Sequence, residues 1–198
     1  LKFIPDEVRA RSWTGRLAFQ IAEELDAFVA LLQEKSVRNY LEIGSRDGDT
    51  FHAVMSALPK GSRGVAVDLP GEAWGSAKSK PRLLEAIADL RERGYKVDAI
   101  FGDSQAAGIR QMAMATGPYD AVFIDGDHRY DGVKADWENY GRMGRIVAFH
   151  DIAGGGYTAS QGTVTIEVDR LWREIKDGFE HVEFVARDSI MGIGVILK

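Results

Sequence analysis

The stretch Tyr119-Asp120-Ala121-Val122-Phe123-Ile124-Asp125-Gly126-Asp127-His128 constrains this chain more than any other. A run rich in β-branched and aromatic residues breaks off into acid, glycine and imidazole. A short continuous apolar run bounded in this way reads as a parallel strand buried on both faces. In open α/β sheets, ligands sit just outside the carboxyl ends of such strands. A second run, Arg145-Ile146-Val147-Ala148-Phe149-His150-Asp151, repeats the design after one helical segment around Tyr130–Tyr140. Neighbouring strands built this way would offer Asp125, His128, His150 and Asp151 to one crevice.

The rest of the chain alternates between the two periods that such a sheet requires. Asn39–Ile43, Gly64–Asp68 and Val97–Phe101 read as strands, each ending in a polar or glycine-bearing tip. Helices are expected between them, including one marked by Leu83, Leu84, Ile87 and Leu90 and stopped at Gly94. Leu17, Ile21, Leu25, Phe28, Val29 and Leu32 recur at helical spacing, with Ser12 or Thr14 as caps, so residues 1–36 read as a helical extension. Val164, Val168, Leu171, Trp172 and Ile175 share a further helix face, and Trp172 on it reads as core. The closing runs His181–Ala186 and Ile190–Leu197 are too closely connected for a parallel crossover and predict an antiparallel hairpin at the sheet edge. The pattern is α/β, a mostly parallel sheet covered on both faces, in one domain over residues 1–198.

Composition narrows the function. A net charge of −5 without blocks of like charge gives no footprint for nucleic acid or an anionic membrane. No run approaches the ~18 apolar residues of a membrane span, and the first residues do not form a signal peptide. There is no cysteine, which removes disulfides, thiolate metal sites and a cysteine nucleophile, and which suits a cytoplasmic protein. The chain begins without Met, as a segment of a longer chain would. Whether it forms a homo-oligomer is left open by the sequence.

Three motifs carry chemistry. Glu42-x-Gly44-Ser45-x-x-Gly48 lies between a strand and a helix, where glycines allow close backbone approach and a helix N-terminus offers free N–H groups. Asp68 ends the next strand at the spacing of about 20 residues at which a carboxylate takes ribose hydroxyls. Position 46 is Arg, which breaks the dinucleotide pattern, and Glu42 beside the loop would repel a pyrophosphate but favour an ammonium. S-adenosylmethionine (SAM) is therefore preferred to NAD. Gly102-Asp103-Ser104 has two readings: contacts to the edge of an adenine, or caps on the following helix. Asp125, His150 and Asp151 present oxygen and imidazole donors suited to Mg²⁺ or Mn²⁺, unless the acids cap turns and the histidine is core. His128, just beyond the tip, is placed as a general base. Trp74 follows the Asp68 tip and could reach adenine or substrate.

Tyr40-Leu41-Glu42-Ile43-Gly44-Ser45-Arg46-Asp47-Gly48-Asp49-Thr50 resembles the SAM-binding motif of class I methyltransferases. Phe123–Tyr130 with Ala148–Ile152 is similar to a subfamily related to cephalosporin-biosynthesis and macrolide-sugar O-methyltransferases, and more distantly to catechol O-methyltransferase. The resemblance spans about residues 38–175. It implies a Rossmann-like three-layer fold, a seven-stranded sheet of order 3-2-1-4-5-7-6 and SAM near Gly44, Asp68 and Asp103. It also implies metal ligands at Asp125 and the His150-Asp151 pair, and a base at His128. The chain departs from its relatives in carrying His150 where they often have acid or Asn, and Gly144-Arg145 where they have a glycine pair.

The function expected is a SAM-dependent O-methyltransferase, metal-assisted, acting on a hydroxyl of a small molecule. The loop around Gly154–Gly162 would close over the acceptor. A metal-independent methyltransferase, a non-catalytic SAM-binding protein and, third, an NAD-dependent oxidoreductase are the alternatives.

Overall fold

The computed structural model describes residues 6, 9–71, 76–154 and 165–198. It opens with a hairpin in which β1 (Arg9–Arg11) pairs antiparallel with β2 (Leu17–Ile21), and β2 runs directly into α1 (Ala22–Glu34). The main sheet follows as β3 (Asn39–Ile43), α2 (Asp49–Ala57), β4 (Arg63–Asp68), α3 (Ser79–Glu92), β5 (Lys96–Phe101), α4 (Ala107–Thr116) and β6 (Ala121–Ile124). It is completed by α5 (Tyr130–Tyr140), β7 (Ile146–His150), α6 (Val168–Ile175), β8 (Glu180–Phe184) and β9 (Ile193–Leu197). The seven strands lie in the order β5-β4-β3-β6-β7-β9-β8. Counted within the sheet, this is the expected 3-2-1-4-5-7-6. The five strands β3 to β7 are parallel, and β9 is antiparallel to both of its neighbours.

The central strands are mostly apolar because each face meets helices. Tyr40, Ala66, Phe123 and Ala148 pack with Phe28 and Leu32 of α1, Phe51 and Met55 of α2 and Leu83 of α3. The alternate residues Leu41, Val67, Ile124 and Phe149 pack on the other face with Val133 of α5 and Leu171 and Trp172 of α6. Trp172 is core, as its helical spacing predicts, and its indole N–H donates to Glu183 Oε1 at 2.6 Å. Among the described residues, no helix is long and apolar enough to cross a membrane.

The N-terminal region differs from expectation. Residues 17–21 are a strand, and the helix begins only at Ala22. Leu17 and Ile21 fit the helical spacing of α1 by coincidence. Tertiary packing imposes the strand period instead: Ala18 and Gln20 are buried while Phe19 between them is 56% exposed. Ser12 and Thr14 cap no helix. Their hydroxyls meet at 2.8 Å in the hairpin turn, where Gly15 adopts φ +81°. The expectations for Trp74, for Val164 and for most of the 153–162 segment fall outside the described residues.

Buried Glu24 on α1 accepts the backbone N–H groups of Ala186 and Gly192, both at 3.0 Å, and so ties the β8–β9 loop against the hairpin side of the sheet. At the sheet's carboxyl edge, Gly44 has φ +88°, and a Cβ there would overlap the backbone carbonyl of Asp125. Its lack of a side chain lets the β3 and β6 tips close on one another. Gly44→Ala adds a left-handed penalty of about 1–2 kcal/mol to overpacking of about 1–3 kcal/mol. Urea denaturation of the variant is expected to show a loss of about 2–5 kcal/mol. Wild-type stability would show that the tips can part freely.

Candidate active site

The carboxyl ends of β3, β4, β5, β6 and β7 open into one cavity of about 450 Å³, closed on one side by the hairpin through Phe19 and Gln20. The volume is in the range for a small-molecule ligand or cofactor. Of the residues expected to act, Gly44, Ser45, Asp68, Asp103, Ser104, Asp125, His128, His150 and Asp151 all lie on its wall.

The half formed by β3, β4 and β5 is the one at which the sequence leads one to expect a nucleoside. Asp68 ends β4, and its Oδ1 accepts the backbone N–H of Arg46 at 2.8 Å. Burial pushes the Asp68 carboxyl up to about 6, against the pull of that hydrogen bond. Asp103 Oδ1 accepts the N–H of Gln105 at 2.9 Å, which makes a turn ahead of α4 and caps no helix. The Ser104 hydroxyl donates to Asp136 Oδ1 at 2.7 Å, so its proton is taken within the protein. Glu42 is placed differently from expectation. It is buried beneath the tip and off the cavity wall, and accepts the Tyr40 hydroxyl proton at 2.7 Å. Burial raises its carboxyl to about 8 despite that bond, which favours the uncharged acid beneath the tip. Both motif glycines act within the protein as well: Gly48 has φ +81°, and a Cβ there would sit 2.9 Å from Leu83 Cδ1 on α3.

The half formed by β6 and β7 holds two imidazoles against two carboxylates. His150 Nδ1 is 3.0 Å from Asp125 Oδ1, and Asp125 Oδ2 accepts the Gln20 side-chain amide at 3.1 Å. His128 Nδ1 is 2.7 Å from Asp151 Oδ2, and its Nε2 lies 3.8 Å from Asp125 Oδ1. Asp151 is held at φ +62°, a conformation costly for a side-chain-bearing residue and more tolerable for Asp than for most. Burial would lower the His150 pKa, but Asp125 and Asp151, with Glu24 behind them, outweigh it and raise it to about 10. The same contest at His128, with Asp151 as the main partner, also ends above the ordinary imidazole value.

The divalent ion expected at Asp125, His150 and Asp151 does not fit this arrangement. Among the described residues, no three such groups converge on a point that could hold an ion. His150 gives its Nδ1 to Asp125, His128 pairs with Asp151 and Gln20 takes the remaining Asp125 oxygen, while His150 Nε2 is buried without a hydrogen-bond partner among the described residues.

Sequence reasoning missed the hairpin's contribution. Phe19, Gln20 and, from the β8–β9 loop, Met191 line the cavity. Arg46 carries its guanidinium over the Phe19 ring at 4.1 Å from the centroid. The one available signal was Gly15 between two short runs, which is a hairpin signature. A lone Gln or Met has no code.

This fold, with a cofactor-sized cavity at its strand tips, is that of a class I SAM-dependent methyltransferase. Residues 41–152, more than half of the chain, match the model of a methyltransferase-domain family, and the chain belongs to that family. No curated protein sequence matches it. Among solved structures, an O-methyltransferase from Bacillus cereus in complex with S-adenosylhomocysteine (SAH) is similar, with 18% identity, a TM-score of 0.66, and coverage of 90% of this chain and 82% of that one. The O-methyltransferase TomG from Streptomyces achromogenes, involved in tomaymycin synthesis and solved with SAM, gives 18% identity and a TM-score of 0.64, covering 91% and 81%. The methyltransferase domain of bacterial CtHen1 gives 13% identity and a TM-score of 0.60, covering 89% and 98%. At such identities the likeness speaks for the fold, and the acceptor must be sought in the site.

Proposed function

We propose that the chain transfers the methyl group of SAM to a hydroxyl of a small molecule. The observation that carries this reading is that one cavity joins Asp68, at the tip expected to hold a ribose, to the His128–Asp151 pair at the opposite side. The wall carries seven aspartates, among them Asp47, Asp49 and Asp127, against two arginines and two histidines. An acidic wall favours a sulfonium and an ammonium and disfavours the pyrophosphate of a dinucleotide. The SAH and SAM found in the Bacillus cereus and Streptomyces achromogenes neighbours support the same choice.

In this reading Asp68 accepts the ribose hydroxyls, Asp103 meets the adenine edge, and Gly44, Ser45 and Gly48 shape the loop over the methionine portion. The acceptor hydroxyl lies toward His128. Asp151 holds the imidazole through Nδ1, and Nε2 takes the hydroxyl proton as general base. The acceptor oxygen then forms its bond to the methyl carbon as the carbon–sulfur bond breaks, and the electron pair stays on sulfur, giving SAH. The enzyme contributes mainly alignment, because a methyl group offers little to bind. Metal assistance, the finer expectation from the sequence, forms no step of this route.

Two measurements test the two halves. Calorimetry with SAH should show that Asp68→Ala weakens binding by about 1.5–3 kcal/mol, the range for losing charged hydrogen bonds. Ribose hydroxyls need an ionised acceptor, and the Asp68 carboxyl is raised to about 6 by burial. Affinity should therefore be full above that pH and fall as pH drops through it. Unchanged affinity in a folded Asp68→Ala variant would remove Asp68 from the site.

For the base, an acceptor screen over catechols, sugars and small polar alcohols comes first. His128→Ala should then lower turnover by about 10²–10⁴-fold with SAH affinity nearly unchanged. Because Asp151 keeps the imidazole protonated to higher pH, wild-type turnover should rise with pH through a value above that of a free histidine. A variant retaining near-wild-type turnover would sink the assignment. SAH binding with no turnover across the screen would instead indicate a cofactor-binding protein without catalysis.

A further inference from the structure

Two acids at neighbouring strand tips, open to a cavity, would ordinarily invite a divalent ion. Here the protein has filled that role from its own side chains. Both oxygens of Asp125 are engaged, Oδ1 with His150 at 3.0 Å and Oδ2 with the Gln20 amide at 3.1 Å. Asp151 Oδ2 is engaged with His128 at 2.7 Å. His150 Nδ1 also lies 3.7 Å from Asp151 Oδ1, so it occupies the space between the two carboxylates that a bridging ion would need. The parts cannot easily separate to admit one. Ile124 and Phe149, the residues before Asp125 and His150, are partners in the parallel β6–β7 register, and three of the four cluster residues, His128, His150 and Asp151, are at least nine-tenths buried.

We infer that the His150 and His128 imidazoles, bonded to Asp125 and Asp151, stand in the place of a divalent cation and leave the methyl transfer metal-independent. Hard ions such as Mg²⁺ and Mn²⁺ want several oxygens and give up water reluctantly. With His150 beside both Asp125 and Asp151, and each carboxylate already bonded, the two tips supply neither the oxygens nor the room. The catalytic half of this inference rests on the methyl-transfer reading above, while the exclusion of metal is read from the cluster alone.

The test is a Mn²⁺ titration of the EDTA-dialysed chain, followed by the electron paramagnetic resonance signal of free Mn²⁺, with and without SAH. The wild type is expected to leave the signal undiminished, with no saturable site below about 1 mM, the weak end of protein sites for hard divalent ions. His150→Glu, which places a third carboxylate at the tips, should acquire one Mn²⁺ site per chain. One sub-millimolar site in the wild type, abolished by Asp125→Asn, would overturn the inference. So would a folded His150→Glu variant that binds no Mn²⁺. The wild-type titration decides alone if that variant fails to fold. SAH heats recorded on the same samples keep the readings apart: absent heat defeats the cofactor assignment and leaves the metal result standing.

Discussion

The functional end of this molecule depends on the contact between Gly44 and the backbone of Asp125. β3 and β6 are neighbours in the middle of the sheet, and their tips close to a distance at which no side chain fits between them. That closure fixes where the loop after β3 begins and, through Arg46, where the N–H bonded to Asp68 points. It also fixes Asp125, and with it the two side chains that grip its carboxylate. Both halves of the cavity, at the β3–β5 tips and at the β6–β7 tips, are tied to one backbone contact at the sheet's centre.

Much of the fold was legible because the sheet is buried on both faces. Strands such as Ala121–Ile124 and Ile146–His150 had to be continuous apolar runs, and their polar tips announced where the sheet ended. The hairpin was not legible, since Leu17 and Ile21 satisfy a helical period as well as a strand. What decided between them was the burial of Gln20 against Asp125, residues far apart in the chain. The same limit applies to the site. The places of Asp68, Ser104, His128 and the β7 tip on the cavity wall could be read from position, but not that Glu42 lies off it or that Tyr40 and Asp136 are bonded to Glu42 and Ser104. A sequence shows which side chains can donate or accept and stays silent on which are already taken.

Electrostatics give the site its character. Buried charge persists only when paired and hydrogen-bonded, and the tips of β6 and β7 obey this by alternating acid and imidazole. The result is an acidic cavity whose β6–β7 carboxylates are paired with imidazoles, while at the β4 tip Asp68 has one oxygen bonded to the Arg46 N–H. Burial drives the Glu42 carboxyl to about 8 and so favours its uncharged form beneath the loop. A cationic cofactor at the β3–β5 side and a neutral hydroxyl acceptor at the β6–β7 side both match this gradient.

The central claim is that this cavity orients SAM from Asp68 toward His128. A crystal structure with SAH tests it most directly. The account predicts the ribose hydroxyls on the Asp68 carboxylate and the sulfur facing the His128–Asp151 pair, with Gly44 and Asp125 unmoved. SAH bound elsewhere, or bound with its sulfur turned away from His128, would contradict it.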